Sequence, residues 1–157
     1  MNAVATASTT AITRATPADL PRLLEVWETA VRATHDFLPA GEIDRLRPLV
    51  RDALGAFEPL HVLRDARGQV FAFLGVAEGS IEMLFVHADH RGCGAGRRLV
   101  EHALDALSAD RVDVNEQNVQ GVGFYRRLGF RLSSRSPLDG QGQPYPILHL
   151  VRDGAPP

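Results

Sequence analysis

Cysteine is almost absent: Cys93 stands alone in the 157-residue chain, so no internal disulfide can brace the fold and a reducing, cytoplasmic setting is expected. Long apolar runs are missing too, since none approaches the roughly 20 residues that a membrane-spanning helix requires. Charge of one sign is not in excess. A net charge of −2 supplies no broad attraction to nucleic acid or to an anionic membrane, and neither is expected as a partner. Residues 1–10 have neither the basic start nor the compact apolar stretch of a secretion signal and read as a flexible tail, with a second short tail at 153–157. With 45% hydrophobic and 23% charged residues, the chain has the make-up of one globular domain, placed at 11–152.

The pattern along the chain alternates strands and helices. A short strand, Ala11 to Ala15, precedes Thr16-Pro17-Ala18-Asp19, where a capping hydroxyl, a proline and an acid start a helix. Leu20, Leu23, Leu24, Trp27 and Val31 then form one apolar stripe at helical spacing. A second helix opens near Glu42, and Pro48 is expected to bend or divide it before Leu49 to Phe57. Leu60 to Arg64, Gln69 to Ala77 and Ile81 to His87, separated by turns at Asp65 to Gly68 and Glu78 to Ser80, read as an antiparallel meander. The run Val70-Phe71-Ala72-Phe73-Leu74 is apolar on both faces, which implies helices on each side of the sheet. A long helix follows, buried through Leu99, Val100, Ala103, Leu104 and Leu107. Then come a strand (Arg111 to Val114), a helix (Val119 to Leu128) stopped at Gly129, and strands from Phe130 and around Ile147 to Val151.

The connection before the long helix is the most informative segment. Gly92, Gly94 and Gly96 strip side chains from a tight turn whose N–H groups and following helix N-terminus suit an anion, and Arg91, Arg97 and Arg98 surround it. A P-loop is excluded, because arginines follow Gly96 where that motif needs Lys-Ser or Lys-Thr. A dinucleotide fingerprint lacks its third glycine, which would fall at Arg97 or Leu99, although Asp113 stands where a ribose-binding acid belongs.

What fits is Arg-x-x-Gly-x-Gly from Arg91 to Gly96, followed by Asn118-x-x-Gly121-x-x-Phe124-Tyr125-x-x-x-Gly129-Phe130. With these two motifs in order, the chain resembles the GNAT superfamily of acetyl-CoA-dependent N-acyltransferases. The runs Thr34 to Leu38, Val114 to Asn118 and Pro144 to Leu148 extend the likeness to the small bacterial YjaB-type group of that superfamily. The resemblance implies a mixed α/β fold: a largely antiparallel sheet of six or seven strands with a V-shaped splay and helices on both faces. It implies acetyl-CoA as acyl donor, no metal, and an amine acceptor, either a small molecule or a protein lysine, attacked directly in a ternary complex. A coenzyme A-binding regulatory module without efficient catalysis is the first alternative and a dinucleotide-binding protein the second, and the oligomeric state stays open between monomer and homodimer.

By the same resemblance, the backbone of Leu84, Phe85 and Val86 pairs with the pantetheine arm, the loop Arg91, Gly92, Cys93, Gly94, Ala95, Gly96 and Arg97 holds the pyrophosphate, and Asn118, with Asn115 beside it, lines the opposite wall. Tyr125 is the expected general acid. A cysteine-like thiol has a pKa near ~8.5 and tyrosine one near ~10, so its contribution belongs at the low end of roughly 10²–10⁴. Glu82 is the expected base, because strict alternation puts it on the same face as Leu84. His35 and Asp36, in the loop after the first helix, are expected to line the acceptor pocket with Glu82. Gly121 replaces the usual alanine and, with Gly123, costs its helix about 2 kcal/mol. Such a cost implies a loose helix or a close neighbour, with the bound donor as a candidate. His87 and His90, lacking a third ligand, read as solvated loop residues, and Cys93, with no histidine beside it, does not read as a nucleophile.

Overall fold

The computed structural model describes residues 11–153, so the expected tail at 1–10 and all of the second tail beyond Asp153 lie outside the described residues. A seven-stranded sheet runs through the molecule. Its strands are β1 (Thr13–Arg14), β2 (Leu60–Arg64), β3 (Val70–Ala77), β4 (Ser80–Val86), β5 (Arg111–Asn115), β6 (Phe130–Ser136) and β7 (Ile147–Arg152). Their spatial order is β1-β2-β3-β4-β5-β7-β6, and every neighbouring pair is antiparallel except β4 with β5.

Four α-helices cover it: α1 (Leu20–Thr34), α2 (Glu42–Ala56), α3 (Ala95–Ala106) and α4 (Val119–Arg127). A 3-10 turn, Pro17–Asp19, leads into α1, where the Asp19 carboxylate accepts the backbone N–H of Thr16 at 2.7 Å. The apolar stripe of α1 is buried through Leu23, Trp27 and Val31, joined by Val26 and Ala30, while Leu20 and Leu24 sit at its margin. Pro48 does not divide α2, which runs unbroken through fifteen residues. A proline removes one donor from the ladder, and here the helix keeps an apolar face, Ile43, Leu46, Val50 and Leu54, packed against the core.

Two cores result. One lies under α1 and α2, with Phe73 fully buried against Phe85 at a ring separation of 5.5 Å. The other lies under α3 and α4, where Leu99, Val100, Phe71 and Leu150 are closed off from solvent. Ion pairs staple the first layer: Arg64 reaches Asp19 at 2.8 Å, and Arg47 grips Glu28 through two bonds of 2.8 Å. Among the described residues every cation paired with Asp or Glu, histidine aside, is an arginine, and the sequence contains no lysine at all.

Candidate active site

Strands β4 and β5 hydrogen-bond only at Ser80 with Arg111 and Ile81 with Val112, although β4 is seven residues long and β5 five. Beyond that point the two strands part. The edge of β4 from Glu82 to Val86 and the edge of β5 from Asp113 to Asn115 therefore have no strand partner on the side where they face each other, and a cavity of about 960 Å³ opens between them. Unpaired strand edges offer a row of backbone donors and acceptors to whatever lies in the gap.

Glu82 sits where the parting begins, at a local irregularity of its strand. Gly75 pairs with Met83 and Val76 with Ile81, so Glu82 is the extra residue of a β-bulge. Ile81 and Met83 consequently point into different cores, a break in the two-residue period that the sequence did not signal. Glu82 is exposed and lines the cavity all the same.

At the far end of β4 the chain makes a 3-10 turn, Ala88–His90, and enters the glycine loop. Gly92 and Gly94 have φ of +80° and +85°, and a β-carbon on either would meet nothing within 4 Å, so the loop is both left-handed and open above its backbone. Gly94 caps α3, whose first N–H groups find no partner within the helix. Arg91, Gly92, Gly94, Ala95, Gly96 and Arg97 all line the cavity. Cys93 does not: its half-buried side chain packs against the core under α3, leaving only its backbone to the loop. Arg98 also turns away, with a guanidinium nitrogen buried and unpartnered.

Helix α4 forms the opposite wall. Asn118 caps it, its Oδ1 accepting the N–H of Gly121 at 3.0 Å, so the side-chain oxygen is committed to the helix. The cap also explains Gly121: a β-carbon there would lie 2.5 Å from Asn118 Nδ2. The close neighbour implied by the sequence is the helix's own cap, and at Gly123 it is the Arg127 guanidinium, 3.3 Å from the same imagined atom. Tyr125 is 7% exposed, stands edge-on to Phe130 at 5.4 Å, lines the cavity, and makes no side-chain hydrogen bond within the described residues. Burial pushes its pKa up, which keeps the hydroxyl protonated.

One end of the cavity is closed by the C-terminus of α1. Ala30, Thr34 and His35 line it; burial lowers the His35 pKa, and its Nδ1 lies 2.8 Å from Thr34 Oγ1. Asp36 is not there. It faces a separate hollow of about 220 Å³ that it shares with Arg32, His35, Leu38 and Asp44. His87 and His90 are likewise not solvated: both are half-buried, and His90 stacks on Phe71 at 4.4 Å with its Nδ1 enclosed. Among the described residues no group of three or more His, Cys, Asp or Glu is placed to hold a metal, and no helix is long and apolar enough to cross a membrane.

One constellation escaped the sequence reading. Asp113 lies across the parting strands from Glu82, and its carboxylate is 2.7 Å from His149 Nδ1, whose Nε2 is 2.7 Å from Ser136 Oγ. The signal was present as alternation: Asp113 lies between Val112 and Val114, and His149 between Leu148 and Leu150, on strands with one wet face.

A family model described as an acetyltransferase (GNAT) domain matches residues 54–132, which include the glycine loop and Tyr125. The chain is similar to the peptidyl-lysine N-acetyltransferase YjaB of Escherichia coli (strain K12), being 44% identical over 133 residues that cover 85% of this chain and 90% of that one. It is also similar to the L-methionine sulfoximine/L-methionine sulfone acetyltransferase of Pseudomonas aeruginosa, 29% identical over 79% of this chain and 81% of that one. Among solved structures, apo-form YjaB from Escherichia coli superposes with a TM-score of 0.86 at 41% identity, over 94% of this chain and 99% of that one. The PaiA N-acetyltransferase of Thermoplasma acidophilum, in complex with coenzyme A, shares the fold with a TM-score of 0.68 at 17% identity, over 92% and 99% of the two chains. The chain belongs to the GNAT superfamily of N-acetyltransferases.

Proposed function

We propose that the chain acetylates a primary amine, with the side chain of a protein lysine as the leading acceptor, using acetyl-CoA held between the parted ends of β4 and β5. The observation that carries the reading is the parting itself, flanked by an open glycine loop on one side and a buried, protonated tyrosine on the other. The cavity fits the donor chemically: unpaired backbone for an amide-bearing arm, and helix dipole plus arginines for a pyrophosphate. When bound, acetyl-CoA supplies an activated acetyl thioester.

The chain's residues then have separable tasks. Backbone N–H groups along Leu84 to Val86 steady the carbonyl oxygen as it gains charge. Glu82, exposed at the bulge, receives the proton that an amine with a pKa near ~10.4 must lose before attack. Tyr125 returns a proton to the departing thiolate. Asn115 and Asn118 shape the far wall. His35, kept neutral by burial, borders the acceptor end. The lysine assignment draws on the peptidyl-lysine activity named for YjaB, and a small amine is the second reading, drawn from the sulfoximine and sulfone activity named for the Pseudomonas relative.

Acetylation of a lysine peptide library, followed by mass spectrometry and compared with thiol release on a small-amine panel, tests the acceptor. In the same assay Tyr125→Phe is expected to lower kcat about 100-fold while coenzyme A binds as before, and Glu82→Gln to remove the acidic limb of the kcat/KM profile. Unchanged turnover in the first variant, or an unchanged limb in the second, removes that residue from the mechanism.

A further inference from the structure

Three arginines line the cavity, and two of them are already engaged. Arg91 donates to the Gln120 side-chain oxygen, and Arg97 pairs with Glu101 across one helical turn. The Arg127 side chain has no hydrogen bond or ion pair within the described residues. It comes from α4, the wall facing the glycine loop, and Gln120, Gly123 and Arg127 recur at spacings of three and four residues, placing them on one stripe of that helix. The missing side chain at Gly123 lets the guanidinium lie back along the stripe, with Nη1 3.3 Å from where a β-carbon would stand. Arg126 and Arg127 are both exposed, and of the two only Arg127 lines the cavity.

Coenzyme A carries two kinds of phosphate. The pyrophosphate suits backbone N–H groups and a helix N-terminus, which the loop and α3 provide. The 3′-phosphate is a monoester with a charge of about −1.5 to −2 near neutral pH, and a dianion of that kind is best met by a planar, two-pronged guanidinium. Resting on the reading that this cavity takes the acetyl-CoA donor, we propose that Arg127 recognises the ribose 3′-phosphate and makes the enzyme select coenzyme A over its 3′-dephospho form.

Calorimetric titration of the whole protein with coenzyme A and with 3′-dephospho-coenzyme A tests this without any turnover. Wild type is expected to prefer coenzyme A about tenfold, a preference that narrows as salt is raised. Arg127→Gln should lose about tenfold on coenzyme A and nothing on the dephospho form, Arg127→Lys should keep part of the preference, and Arg126→Gln should behave as wild type. Equal wild-type affinity for the two ligands, or equal weakening of both in Arg127→Gln, overturns the assignment while leaving the donor site standing. Failure of wild type to bind either ligand overturns the donor site as well.

Discussion

The two halves of the sheet are built to different standards. On the N-terminal side, β2 and β3 are buried through most of their length, with helices on both faces and arginine–carboxylate pairs tying α1 and α2 in place. On the C-terminal side, β7 buries only alternate residues and the edge strand β6 exposes five of seven. α4 covers one face there, and the other presents Ser136, His149 and Asp113. The firm half holds β4 against β3, and the open half supplies the strand that parts from it. A gap at this place follows from the mismatch: the β4 edge is fixed from behind, while β5 is held by β7 and α4 and diverges after two residue pairs.

The largest effect expected from this contrast is in stability. Phe73→Ala, at a fully buried ring, should cost about 3–5 kcal/mol in urea unfolding, whereas Leu132→Ala on the 47% exposed face of β6 should cost about 0.5 kcal/mol or less. Similar costs at the two sites would dissolve the distinction between the halves.

Acid gives a second, smaller separation. Arg47, aided by Arg32, holds the Glu28 carboxyl at about 2, and Arg64 holds Asp19 at about 2, with side chains only 25% and 13% exposed. Both folded values lie below the ordinary carboxylate range, so their contribution is complete above about pH 4.5 and drains away as pH falls toward 2. On the other half, Glu116 and Asp153 are also lowered by arginine partners but are 41% and 75% exposed, where solvent screens the pairing. The urea midpoint of Arg47→Gln or Arg64→Gln should therefore change less across that pH window than wild type, and that of Arg135→Gln should follow wild type. A flattened curve for Arg135→Gln would contradict the assignment of acid sensitivity to the helical layer.

The finest test concerns α4. Gly121→Ala brings about 1 kcal/mol of helix propensity but pushes on an Asn118 cap worth a similar amount, so net stability should move by less than about 1 kcal/mol. Repeating the substitution in an Asn118→Ala background should release the propensity gain. If the two backgrounds respond alike, the cap does not account for the glycine.

Much of this was legible beforehand. Element order, the paired apolar faces of β3 and the anion-ready loop follow from local periodicity and glycine placement, which depend on few residues at a time. The parting of β4 from β5 came by resemblance, since no local pattern encodes where two strands stop pairing. The failures share one cause. Asp36 faces another hollow, the Cys93 side chain turns into the core, and His90 stacks on Phe71, placements that no local pattern encodes. The contact of His149 with Asp113 joins residues 36 positions apart and appears only once β5 and β7 are in register.

The absence of lysine has a consequence for an enzyme that handles reactive thioesters. Guanidinium groups stay protonated at any physiological pH and resist acylation, so the charges that clasp α1 and α2 to the sheet are chemically deaf to the donor. Stray acetyl groups find no lysine amine on this catalyst to neutralise, and the ion pairs that hold its helices keep their charge.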